Sequence, residues 1–148
     1  MRLFFDTNVL IDAFTRRPPD GDGVLRLAAM SALGDAEAWV SAKSYTDAFY
    51  VLAKEMGSEA VHDAFHESFE WLNVCSVDEA DIKLATERRW GDFEDCLIAV
   101  GAEKVKADIL VTRDLNGFLG SRTPAFTPQQ LFDHLESRYG IVYDVVDW

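Results

Sequence analysis

Arg2-Leu3-Phe4-Phe5-Asp6-Thr7-Asn8-Val9-Leu10-Ile11 opens the chain. Residues 2–5 are short and apolar, as a buried strand is. An acid follows at once, and then apolar residues at a density suited to a helix over 7–15. This junction leaves Asp6 at the carboxyl end of a strand. Asp6 can serve there as a helix cap, worth about 1 kcal/mol, or as part of a functional site.

The same alternation continues outward. Helices are expected over 23–33, 44–56, 58–71, 78–89 and 92–106, and strands over 37–41, 72–77, 108–112 and 124–126. The second helix of the 44–71 pair starts at Ser58, after Gly57. Thr127 and Pro128 fit the cap and first turn of a last helix. Arg16 to Gly23, with two prolines and two glycines, reads as a loop. The tail from Gly140 to Trp148 has strand composition and is expected to add an edge strand or cover a dimer surface. Short strands alternating with helices predict an α/β fold: a doubly wound, mainly parallel sheet flanked by helices, in a single domain over 1–148. Ligands of such sheets bind outside the carboxyl ends of the strands. Functional acids should therefore follow a strand or open the next helix.

The composition limits the function classes. The chain has 148 residues, 49% hydrophobic and 27% charged, which suits one globular core and excludes a disordered tail. The N-terminus does not read as a signal peptide. No apolar run reaches the roughly 18 residues that span a membrane. A soluble, cytoplasmic protein without membrane contact is expected. Cys75 and Cys96 are far apart and lie in apolar stretches, so they read as two buried thiols rather than a zinc site. The net charge of −12 argues against simple nucleic-acid binding, which leaves a basic footprint. A polyanion remains a feasible ligand if part of the negative charge is gathered where divalent cations neutralise it.

Four further acids satisfy the placement rule or border on it. Asp114 closes Val111-Thr112-Arg113-Asp114, just after the 108–112 strand. It could equally be a turn aspartate bonded to its own backbone. Asp92 and Asp95 stand three residues apart in Asp92-Phe93-Glu94-Asp95-Cys96-Leu97-Ile98-Ala99, on one face of a helix start. Asp92 also reads as a cap, whereas Asp95 borders an almost wholly apolar run. Asp47 is a lone acid near the start of the 44–56 helix, where a helix N-terminus favours negative charge in any case. Each acid has a bland explanation, and the set is more telling than its members. Carboxylates gathered at one sheet edge raise one another's pKa and become tolerable around Mg²⁺ or Mn²⁺. One or two such ions could activate water and offset charge on a phosphodiester.

Taken in order, Phe5-Asp6-Thr7-Asn8-Val9-Leu10, Asp92-Phe93-Glu94-Asp95-Cys96-Leu97-Ile98-Ala99 and Val111-Thr112-Arg113-Asp114 resemble the motifs of PIN-domain nucleases, which include the toxins of VapBC-type toxin–antitoxin pairs. The resemblance spans roughly residues 2 to 132. It implies a Mg²⁺- or Mn²⁺-dependent endoribonuclease acting on single-stranded or structured RNA, with an antitoxin protein as partner and a homodimer as assembly. It assigns Asp6, Asp47, Asp95 and Asp114 as catalytic acids and Asp6, Asp92, Asp95 and Asp114 as metal ligands. Asn8, Thr112 and Arg113 are implied in support. Asp47 stands where the family often has Glu, and many members have Asn where this chain has Asp114.

Two other classes compete. A non-catalytic module of the same fold would bind a protein partner or RNA. A haloacid-dehalogenase-like phosphatase also starts with strand–Asp but carries a second Asp two residues on, where this chain has Asn8. Arg16, Arg17, Arg88, Arg89, Arg113, Arg122, Lys104 and Lys106 are either solvated surface or a track for an RNA backbone. Arg113 is the strongest of them, because it lies between two site positions.

Overall fold

The computed structural model describes residues 1–15 and 21–143. Five strands, β1 (Arg2–Phe5), β2 (Glu37–Ser41), β3 (Leu72–Cys75), β4 (Ile109–Val111) and β5 (Ala125–Phe126), form one sheet in the order β3-β2-β1-β4-β5. Every pairing is parallel. The helices are α1 (Thr7–Thr15), α2 (Gly21–Ala32), α3 (Ala42–Met56), α4 (Ser58–Ser68), α5 (Glu79–Arg88), α6 (Phe93–Lys104) and α7 (Pro128–Tyr139). This is the expected doubly wound α/β architecture. From β1 the chain builds outward to β2 and β3, then returns to place β4 on the other side of β1. The switch point lies between β1 and β4, at the carboxyl ends that lead to Asp6 and Thr112.

Strand alternation divides the core. Leu3 and Phe5 face one side, with Val9, Leu10, Leu27, Leu52 and Leu131 from the helices there. Phe4 faces the other side and meets Ile98, Ala99 and Ala102 of α6. The opposite face of α6 presents Cys96, Leu97 and Val100 to Ala85 of α5. A helix covered on two sides needs an apolar circumference, which explains the run from Cys96 to Ala102. Gly101 permits the close approach, since a Cβ there would lie 2.8 Å from Phe4 Cζ. Cys75 and Cys96 are buried free thiols, as expected.

Two expectations need correction. Gly21 to Gly23 belong to α2 rather than to a loop, while residues 16–20 of that stretch lie outside the described residues. A Cβ on Gly23 would sit 3.1 Å from Pro128 Cβ, so the start of α2 packs against the start of α7. That tertiary contact overrides the weak helix propensity of glycine. The tail does not form strand over residues 140–143; positions 144–148 lie outside the described residues. Gly140 closes α7 in the left-handed conformation (φ 65°), and its N–H donates to Glu136 and Leu135 carbonyls. Tyr143 then donates to Asp35 Oδ2 (2.7 Å) and packs against Phe132, which draws the chain away from sheet pairing. Among the described residues, no helix is long and apolar enough to cross a membrane.

Candidate active site

Asp6 is set by the end of β1. Its backbone N–H still donates to Val111 of β4, and its carbonyl accepts from Leu10 as α1 begins. The side chain is buried and bonded at both oxygens: Oδ1 accepts from the Thr7 N–H (2.7 Å) and Oδ2 from the Thr112 hydroxyl (2.9 Å). Burial raises its pKa above the ordinary value; the Thr112 and Thr7 bonds oppose that, Asp114 adds to it and Arg113 reduces it. Thr112 Oγ1 also accepts from the Asp114 N–H (3.0 Å). The hydroxyl thus joins the acids after β1 and β4.

Asp95 comes from the first turn of α6. Asp92 caps that helix, accepting from the Asp95 N–H (3.0 Å), so the capping reading of Asp92 holds whatever else it does. The Asp95 carboxyl is pushed up to about 6, first by burial and then by Asp92, Asp6, Asp114 and Glu94. Asp114 caps a 3₁₀ turn, Leu115–Phe118, by accepting from the Gly117 N–H (3.2 Å). A Cβ on Gly117 would lie 2.5 Å from Asp95 Oδ2 and 3.0 Å from Asp114 Oδ2. Those two oxygens therefore flank one small space that a side chain would fill. Asp6, Asp92, Asp95 and Asp114 gather at the switch point, close enough to act on one another's ionisation.

Asp47 sits apart from this group. It is ion-paired to Lys43 one turn earlier on α3. Its charge is felt by Glu94, whose pKa is raised by burial against the pull of Lys43, with Asp47, Asp6 and Asp92 adding to the rise. Asn8 is exposed. Arg113 is committed to an ion pair with buried Asp12 (2.8 Å), which reduces its availability to an RNA track. Arg88 and Lys104 are likewise paired, with Glu103 and with Asp78 and Asp81. Arg89, Arg122 and Lys106 are exposed, and Arg16 and Arg17 lie outside the described residues.

Sequence reasoning missed Glu94, Lys43, Ser44 and Thr7. The Thr7 hydroxyl bonds to Ser44 Oγ (2.8 Å) and reaches Glu94 Oε1 (3.5 Å), linking α1, α3 and α6. Glu94 stands one residue before Asp95, which on a long helix points elsewhere; in a first turn that overhangs the sheet edge, both side chains reach the site. The i,i+4 spacing of Lys43 and Asp47 was a readable signal.

The donor set suits a hard divalent cation, being all carboxylate oxygen. The Gly117 cradle and the raised Asp95 support the same fit. Among the described residues, no three His, Cys, Asp or Glu side chains are already closed into an ion cage. Asp92 and Asp114 are exposed, leaving an open shelf rather than a pocket. Three surface cavities, of 430, 480 and 240 Å³, lie elsewhere, around Glu37, Val74 and Phe14 respectively.

The family model described as the PIN domain matches residues 2–116, from β1 through the turn that holds Gly117's neighbours. The chain belongs to the PIN-domain family. The fold of this PIN domain is similar to that of a chain of VapBC2 from Rickettsia felis, bound there to a fragment of its promoter DNA, with TM-score 0.68, 17% identity, and 86% of this chain and 98% of that one covered. It also resembles VapC20 of Mycobacterium tuberculosis, a sarcin–ricin loop cleaving toxin (TM-score 0.63, 15% identity, 80% and 94% covered). VapBC-1 of nontypeable Haemophilus influenzae is similar too (0.64, 20%, 87% and 99%). No curated protein matches the chain in sequence. The family match removes the phosphatase alternative.

Proposed function

We propose that this PIN domain is a Mg²⁺- or Mn²⁺-dependent endoribonuclease and the toxin of a toxin–antitoxin pair. One observation carries the reading: Asp6, Asp92, Asp95 and Asp114, from three separate elements, meet at the switch point and drive the Asp95 carboxyl up to about 6. Such mutual repulsion is relieved by a cation. The likeness in fold to a sarcin–ricin loop cleaving toxin and to a toxin–antitoxin complex from Klebsiella pneumoniae supports the biological setting. An antitoxin protein as partner and a homodimer as assembly belong to the same proposal.

Asp6, Asp95 and Asp114 would hold the ion, with Asp92 beside them. When bound, the ion supplies a water acidic enough to attack a phosphodiester and charge to offset that which develops on phosphate. The protein's own work is orientation. Thr112 and Thr7 lock Asp6 in one rotamer, and Asp92 and Asp114 brace the turns that carry Asp95 and Gly117. The open shelf leaves room for a polymer to lie across it.

The test is cleavage of a mixed RNA pool at low salt, which compensates for the acidic surface. RNA should be cut with Mn²⁺ or Mg²⁺ and spared with EDTA, and Asp6→Asn should abolish most cleavage in a folded protein. A folded, inhibitor-free chain that cuts nothing in the pool with Mn²⁺ would leave the non-catalytic binding module as the better account.

A further inference from the structure

We propose that Lys43 is a built-in counter-cation of the site, standing between Asp47 and Glu94 in the place a second divalent ion would otherwise take. The inference rests on the metal-dependent reading above. Its ground is the uneven distribution of charge across the acids. Lys43 Nζ lies 2.5 Å from Asp47 Oδ2 and 3.7 Å from Glu94 Oε2, so one ammonium bridges acids of two helices. All three side chains are partly covered, at 37%, 36% and 45% exposure. They are held more firmly than a freely solvated surface pair.

The surrounding bonds fix the bridge. Ser41 caps α3 by accepting from the Lys43 N–H, which sets the first turn. Thr7, bonded to Ser44 and reaching Glu94 Oε1, keeps Glu94 turned toward α3. The opposite half of the cluster has no such bridge. The charges acting on Asp95 are all carboxylates, Asp92, Asp6, Asp114 and Glu94, and Arg113, the cation felt by Asp6, is tied to Asp12. A divalent ion is drawn to the uncompensated half. The half containing Asp47 and Glu94 already carries its cation. The site therefore takes one ion per chain, and the Lys43 ammonium is the second positive charge beside a bound phosphodiester.

Calorimetric titration of the full chain with Mn²⁺, with stoichiometry as the readout, tests this without relying on activity. The wild type should bind one ion. Lys43→Met, which keeps the apolar stem and removes the charge, should bind two, and Lys43→Arg should bind one. Two ions in the wild type, or one ion at unchanged affinity in Lys43→Met, would overturn the proposal and leave the metal-dependent reading standing. No Mn²⁺ binding by the folded wild type would sink both. Circular dichroism checks each fold; Lys43→Gln replaces the Met variant if that one unfolds. Should neither neutral variant fold, the wild-type count decides, one ion supporting the proposal and two refuting it.

Discussion

Removing the Asp95 charge should stabilise the metal-free protein. Asp95 titrates near 6 in the folded chain, against an ordinary value of 3.8, because burial and four neighbouring carboxylates disfavour its ionised form. The native state thus binds more protons than the unfolded state between those values. Stability falls as pH rises through that window, and the full penalty stands above it. Roughly two pKa units correspond to about 3 kcal/mol as a ceiling. Solvent screening at a half-buried group cuts this substantially. Asp95 also gains about 0.3–1 kcal/mol from its place in the first turn of α6, which Asn would forfeit. A net gain of about 1 kcal/mol for Asp95→Asn remains, or about 2–4 °C in Tm for a domain of this size. Thermal unfolding in EDTA, followed by circular dichroism, measures it. The difference between variant and wild type should be present at about pH 7.5 and vanish toward about pH 4, where wild-type Asp95 is protonated too. A variant less stable than wild type at neutral pH, or a difference indifferent to pH, would refute the electrostatic account and make Asp95 a structural residue.

Other perturbations probe neighbouring parts of the site. Thr112→Val deprives buried Asp6 Oδ2 of its donor and the Asp114 N–H of its acceptor; it should cost about 1–3 kcal/mol in denaturant unfolding, with Thr112→Ser restoring most of the loss. Millimolar Mn²⁺ should raise the wild-type Tm by mass action. Gly117→Ala, whose Cβ would crowd Asp95 Oδ2 and Asp114 Oδ2, should shrink that rise, and an undiminished response would show that the two oxygens are not joint ligands. Gly101→Ala drives a methyl against Phe4 and should cost about 1–3 kcal/mol while leaving Mn²⁺ affinity per folded molecule unchanged.

What could be read from the sequence follows from the range of the interactions involved. The β1–Asp6–α1 junction was legible because a strand, a following acid and a helix start are adjacent in the chain. The Asp92–Asp95 pair was legible because three residues at a helix start share a face. The ion pair of Asp12 with Arg113 was not, since it joins α1 to the segment after β4 and no local pattern marks it. Asp12 looked like one polar residue on an apolar helix, and Arg113 like a free cation between site positions. The helical Gly21–Gly23 was misread for the same reason: glycine composition reports local propensity, and the contact with Pro128 is remote.

The acid cluster itself shows where local reading ends and topology takes over. Taken singly, Asp6, Asp92 and Asp114 accept bonds from nearby backbone N–H groups at Thr7, Asp95 and Gly117. Each bland explanation is thus true. Capping uses one oxygen of Asp92 and one of Asp114, leaving each with a second oxygen, and it does nothing to neutralise charge. Parallel strand order then brings these already satisfied turns to one edge, because β4 inserts beside β1 rather than beyond β3. The local role and the collective one therefore do not compete. Backbone bonds hold the carboxylates in fixed orientations, and the crowding that results is the feature a cation would answer.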